Sequence, residues 1–103
     1  MIEGGDFGAG RVTIHGPTFG HENFLHKHDK PGMLSMAEAS TATSTGCQFF
    51  ITCKAANWLD GKHCVFGQVL DAQSMLTVRK AEAVPVSGTS PRLPLRIVQC
   101  GEL

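Results

Sequence analysis

Gly46-Cys47-Gln48-Phe49-Phe50-Ile51-Thr52-Cys53, followed by Trp58-Leu59-Asp60-Gly61-Lys62-His63, holds the residues best suited to chemistry. Two adjacent aromatics, the lone tryptophan, a leucine and a histidine suit an apolar cleft with one polar lip, the composition of a peptide-binding surface. Successive side chains of a strand face opposite ways, so one of Phe49 and Phe50 packs inward and only the other is free for a ligand. Taken singly, Trp58 reads as a core or turn anchor and His63 as a hydrogen-bonded side chain. Their grouping is what points to binding.

Competing chemistries have weaker signals. Cys47, Cys53, Cys64 and Cys100 contain no Cys-x-x-Cys pair, and the first three lie in or beside apolar, strand-like runs. They read as reduced, buried thiols rather than disulfides or zinc ligands. His26 and His28 would share one face of a strand, with His21 just upstream, but no carboxylate or cysteine accompanies them at ligand spacing. Neither a metal nor a cofactor is expected. Asp6-Phe7-Gly8 matches a kinase triplet without any of its partner motifs, and no strand-glycine-helix order surrounds the early glycines.

The elements that must position these residues are short. Turn signals recur along the chain with the rhythm of an all-β barrel or sandwich. Strands are expected at Val12–Ile14, Met33–Ala37, Gln48–Cys53, His63–Leu70 and Leu95–Cys100. The small, polar stretch from Glu38 to Gly46 reads as an ordered surface loop, and turns are expected at Gly4-Gly5, His15-Gly16-Pro17 and Ser87-Gly88-Thr89. One helix is expected from about Ser74 to Ala83, with Met75, Val78 and Ala81 on one face and Pro85 ending it.

At 103 residues the chain holds one domain with a small core. Nine basic side chains balance nine acidic ones, which gives no reason to expect a nucleic-acid or membrane-surface partner. No apolar run has the length of a membrane span, and Met1 to Asp6 lacks the order of a signal peptide. A cytoplasmic or nuclear address is the expectation.

Several segments resemble, in order and over the whole chain, the motif series of the cyclophilins. These are Met1 to Phe7, Glu22-Asn23-Phe24, Pro31 to Ala37, Gly46 to Thr52, Trp58 to Gly67 and Gln99 to Leu103. The wording of Gly46 to Cys53, Val78-Arg79-Lys80 and Leu93-Pro94 is most similar to the subfamily associated with the spliceosomal U4/U6 ribonucleoprotein.

The resemblance implies a mainly β fold, an antiparallel barrel with one C-terminal helix, here lacking the family's N-terminal strands and first helix. Residues 1–103 form a partial domain on this reading. It also implies peptidyl-prolyl cis-trans isomerisation in aid of protein folding or assembly. Met1, Phe50, Leu59 and His63 match the proline pocket, and Ala37 and Gln48 match peptide-contacting positions. Trp58 matches the groove tryptophan that contacts cyclosporin. Glu3 stands where the family has glutamine and Glu38 where it has asparagine.

The family's catalytic arginine, and the pocket phenylalanine before the position of Met1, have no counterpart in these residues; Arg11 is not that arginine by alignment. Proline-containing peptides, a cyclosporin-type ligand and a spliceosomal protein are the implied partners. Two other readings accompany the enzyme: a non-catalytic proline-peptide module, and a truncated chain that is not stable alone.

Overall fold

The computed structural model describes residues 1–5, 13–16, 18–38, 44–88 and 90–102, without the side chains of Glu38, Ser44 and Thr45. Its main sheet has strands β1 (Ile2–Gly4), β2 (Phe19–Gly20), β3 (Met33–Glu38), β4 (Ser44–Ile51) and β5 (Val65–Gln68). β4 is the hub. β1 lies against its second half, with Glu3 opposite Phe50, and β2 against its first residues, with Phe19 opposite Thr45. β3 runs along the other side, pairing Ser35 with Phe50, and β5 continues outward, pairing Val65 with Ser35. All these pairings are antiparallel, and among the described residues the sheet stays open from β1 to β5. Register shifts between Met36 and Glu38, and between Leu34 and Ser35, bend and twist it as bulges do.

Glu3, Phe50, Ser35 and Val65 therefore form one row across the sheet, on one face. That face is the better sealed. Met33, Ser35, Phe50, Thr52 and Val65 are buried on it, together with Cys53, Ala56, Cys64 and His28 from the flanking loops. Phe49, Ile51, Leu34 and Met36 point the opposite way and are half-buried. Thr52 ties the loop before β3 to the end of β4: its hydroxyl donates to the Lys30 carbonyl at 2.9 Å and accepts from Met33 N–H at 2.9 Å.

Helix α1 (Ala72–Glu82) begins two residues earlier than the spacing predicts because the Asp71 carboxylate caps it, accepting from Ser74 N–H at 2.8 Å. Val78 is buried while Met75 and Ala81 are half-buried, so the expected face is the one that packs. Near its end Arg79 donates to the Cys53 carbonyl at 2.6 Å, fastening the helix to the segment leaving β4. A hairpin of β6 (Val86–Ser87) and β7 (Ser90–Pro91) turns through Gly88, whose φ is +67°.

Four expectations are corrected. Val12 lies outside the described residues, and Thr13 to Gly16 form a closed turn instead of a strand. Thr13 N–H donates to the Gly16 carbonyl at 2.8 Å and Gly16 N–H returns 3.1 Å to Thr13, a loop that Gly16 closes with φ +103°. β4 starts at Ser44, inside the expected loop, because β2 and β3 flank it there; residues 39–43 of that loop lie outside the described residues. The His26–His28 stretch is not a strand, so the shared face supposed for these two residues does not exist: His26 is exposed and His28 is buried. Leu95 to Cys100 pairs with nothing described and makes no strand, leaving Leu95, Ile97 and Val98 exposed. A strand needs a neighbour for its backbone groups, and apolar sequence alone does not supply one. Cys47, Cys53, Cys64 and Cys100 are free thiols; Cys53 and Cys64 are buried as expected, whereas Cys47 is only half-buried and Cys100 is exposed.

Candidate functional site

β4 delivers Phe50, and the loop from Thr52 to Cys64 folds back over its ring. A 3-10 helix at Asn57–Leu59 shapes that loop. Leu59 N–H donates to the Ala56 carbonyl at 3.0 Å, and the Leu59 carbonyl accepts from Lys62 at 3.1 Å and His63 at 3.2 Å. Gly61 carries the turn with φ +79°. The result places the His63 imidazole edge-on to Phe50, with ring centres 5.3 Å apart and planes at 85°. Such edge-to-face pairs are favoured by the ring quadrupole.

His63 is held from its other side by β3. Its Nδ1 lies 3.0 Å from the Met36 carbonyl, which can only accept, so Nδ1 carries the proton. Nε2 is left as the nitrogen not engaged by this bond. Phe50 itself is only 2% exposed, so a ligand at this wall meets His63 more readily than the Phe50 ring.

Beneath both rings sits a histidine that the sequence reading did not assign to the site. His28 is fully buried and stacks on Phe50 with ring centres 5.8 Å apart and planes 14° from parallel. It meets His63 edge-on at 6.4 Å. Asp60 Oδ1 accepts from its backbone N–H at 2.7 Å and from its Nδ1 at 2.8 Å, while Nε2 lies 2.9 Å from Ser35 Oγ. Ser35 donates in turn to the Cys64 carbonyl at 3.1 Å, which also accepts from Met36 N–H at 3.0 Å. The His28 backbone N–H, and then its ring, hold the Asp60 carboxyl below the usual carboxylate range. The signal for His28 was masked by Lys27, Asp29 and Lys30 around it, a run that looks like surface.

The other predicted residues are spread around this cluster. Glu3 is exposed at the register position opposite Phe50, and Met1 is exposed just before β1. Trp58 is 56% exposed on the 3-10 helix whose last residue, Leu59, is half-buried. Ala37 and Gln48 are half-buried in β3 and β4, and Glu38 lies at the end of β3 with its backbone opposite Thr45. The structure thus joins Phe50, His63 and the Leu59 backbone directly, and brings Glu3 to the same row. A cleft of about 270 Å³ along β5, lined by His26, Met33, Val65 and Phe66 to Gln68, includes none of the predicted site residues. Of the arginines among the described residues, Arg79 is committed to the Cys53 carbonyl and, at 3.3 Å, to Glu82.

Comparison with known proteins identifies the family. The family profile described as cyclophilin type peptidyl-prolyl cis-trans isomerase/CLD matches residues 1–102. The chain belongs to the cyclophilin family. Peptidyl-prolyl cis-trans isomerase 11 of Caenorhabditis elegans is 56% identical over 108 aligned residues, covering 100% of this chain and 57% of that protein. Peptidyl-prolyl cis-trans isomerase H of Mycosarcoma maydis is 50% identical, covering 100% of this chain and 67% of that protein. This cyclophilin chain therefore spans between half and about two thirds of the length of such relatives. A crystal structure of a Cryptosporidium parvum cyclophilin type isomerase, in the presence of the dipeptide Ala-Pro, superposes with a TM-score of 0.75 at 34% identity. That match covers 87% of this chain and 60% of the other. The mainly β cyclophilin fold is thereby established, with one α-helix and an open sheet among the described residues.

Proposed function

We propose that this chain supplies one wall of a prolyl-peptide groove and takes part in cis-trans isomerisation of X-Pro bonds. The observation that carries the reading is the Phe50–His63 pair, an aromatic base with an imidazole fixed edge-on above it. An X-Pro amide resists rotation by about 20 kcal/mol because of its partial double bond. No nucleophile or metal is needed to lower that barrier. A dry pocket that grips the proline ring, and a donor aimed at the prolyl nitrogen, bind the twisted amide better than either planar form. In this division of labour Leu59, His63 and Met1 hold the ring, Phe50 backs them as the buried floor of the pocket, and Ala37, Glu38, Gln48, Glu3 and Trp58 hold the flanking peptide.

A second reading is favoured by one observation. Glu3 sits opposite Phe50, where a carboxylate can accept but not donate, and Arg79 is committed to the Cys53 carbonyl. A chain with the groove and without the donor is a binding module, for instance for a proline-containing segment of a spliceosomal protein, in the nucleus or cytoplasm. Accelerated isomerisation of a proline peptide by the purified chain, abolished by a cyclosporin-type ligand, supports the enzyme. Saturable peptide binding without acceleration supports the module. Absence of both, in a chain that shows a cooperative thermal transition, refutes the two readings together.

A further inference from the structure

We infer that His28 is a positioning residue for the groove: it sets the orientation of Phe50 and His63 without touching the ligand. This rests on the proposed prolyl-peptide site. Three features of the geometry require a histidine there. First, the flat ring lies nearly parallel to Phe50, filling the layer behind it. Second, Nδ1 is anchored to an acceptor on the same loop that presents His63, since Asp60 and His63 are both on the turn closed by Leu59. Third, Nε2 reaches Ser35, directly opposite Phe50 in the sheet, and Ser35 is bonded to the Cys64 carbonyl next to His63.

These bonds close a circuit. From His28 it runs through Ser35 to the Cys64 carbonyl, from that carbonyl to Met36 N–H, and from the Met36 carbonyl to His63 Nδ1. Asp60 and Cys64, on either side of His63, are thus referred to one buried ring. Phenylalanine would keep the stack and leave Asp60 and Ser35 without it; asparagine would keep the Asp60 bond and lose the rest. The ionisable groups in contact with the ring are Asp60 and His63, and Lys27 and Asp29 flank it in sequence. Burial of every ring atom excludes direct contact with a peptide.

The test uses the 103-residue chain and a proline-containing peptide, with the lone Trp58 as fluorescence reporter. His28→Asn is expected to weaken binding about ten-fold, the order of affinity that one net hydrogen bond represents. Val78→Ala, a core change on α1, controls for general destabilisation and is expected to leave affinity unchanged. Ser35→Ala removes both Oγ links, to His28 Nε2 and to the Cys64 carbonyl, and is expected to lower affinity in the same direction, which keeps the test decisive if His28→Asn does not fold. Nitrogen-15 spectra of His63 give a readout independent of the ligand. The Nδ1–H form is expected in the parent and a mixture of tautomers in the variants. Unchanged His63 spectra in both variants overturn the inference, as does a loss of affinity that merely follows thermal stability in all three variants. If the parent binds no peptide while His63 responds as expected, the proposed function fails and the positioning role stands.

Discussion

Replacement of Phe50 by alanine tests the packing on which the site depends. The ring is 2% exposed and touches His28 on one side and His63 on another. Removing a buried phenylalanine side chain costs about 3–5 kcal/mol from transfer and cavity contributions, and the two ring contacts add roughly 0.5–1.5 kcal/mol each. A domain of this size has roughly 5–15 kcal/mol in total, so Phe50→Ala removes a large share of it. Urea unfolding followed by far-ultraviolet circular dichroism, extrapolated linearly, measures the loss. Phe50→Leu refills most of the volume and is expected to cost less than half as much, yet still to weaken proline-peptide binding because His63 loses its aromatic partner. A loss below about 1.5 kcal/mol for the alanine variant, under half the ordinary cost of such a deletion, would refute the idea that Phe50 is the wedge between sheet and loop.

Other outcomes follow from single bonds. Thr52→Val leaves Met33 N–H without its hydroxyl partner and is expected to cost about 1–3 kcal/mol in urea unfolding. Arg79→Met removes the bond to the Cys53 carbonyl and is expected to lower stability by about 1–2 kcal/mol, with hydrogen exchange accelerating first in α1 and the residues after β4. Asp60, whose folded carboxyl titrates below its unfolded value, contributes stability above pH ~4. That contribution is lost as pH falls through the lower folded value. Acid unfolding of Asp60→Asn is therefore expected to be shallower than that of the parent, and an identical acid profile would remove Asp60 from the account.

The β content, helix α1, β3 and the second half of β4 were legible because apolar runs and turn residues mark them locally. β3 and α1 fall within two residues of where Met33–Ala37 and Met75, Val78 and Ala81 place them. What was not legible depends on partners distant in sequence. β1 is a strand because β4 offers it an edge, and Leu95 to Cys100 is not one because no described strand offers the same. His28 looks like a surface residue until Asp60, 32 positions away, is folded onto it. The family pattern named Phe50 and His63, whereas the buried bonds of His28, Ser35 and Asp60 that hold them needed coordinates.

The most direct measurement of the central claim is a titration of Trp58 fluorescence and His63 imidazole resonances with a short proline peptide, beside the same peptide carrying alanine in place of proline. The account predicts saturable changes in both probes for the proline peptide, and their loss in His63→Ala. Equal responses to the two peptides, or a response that leaves His63 unmoved, would contradict it.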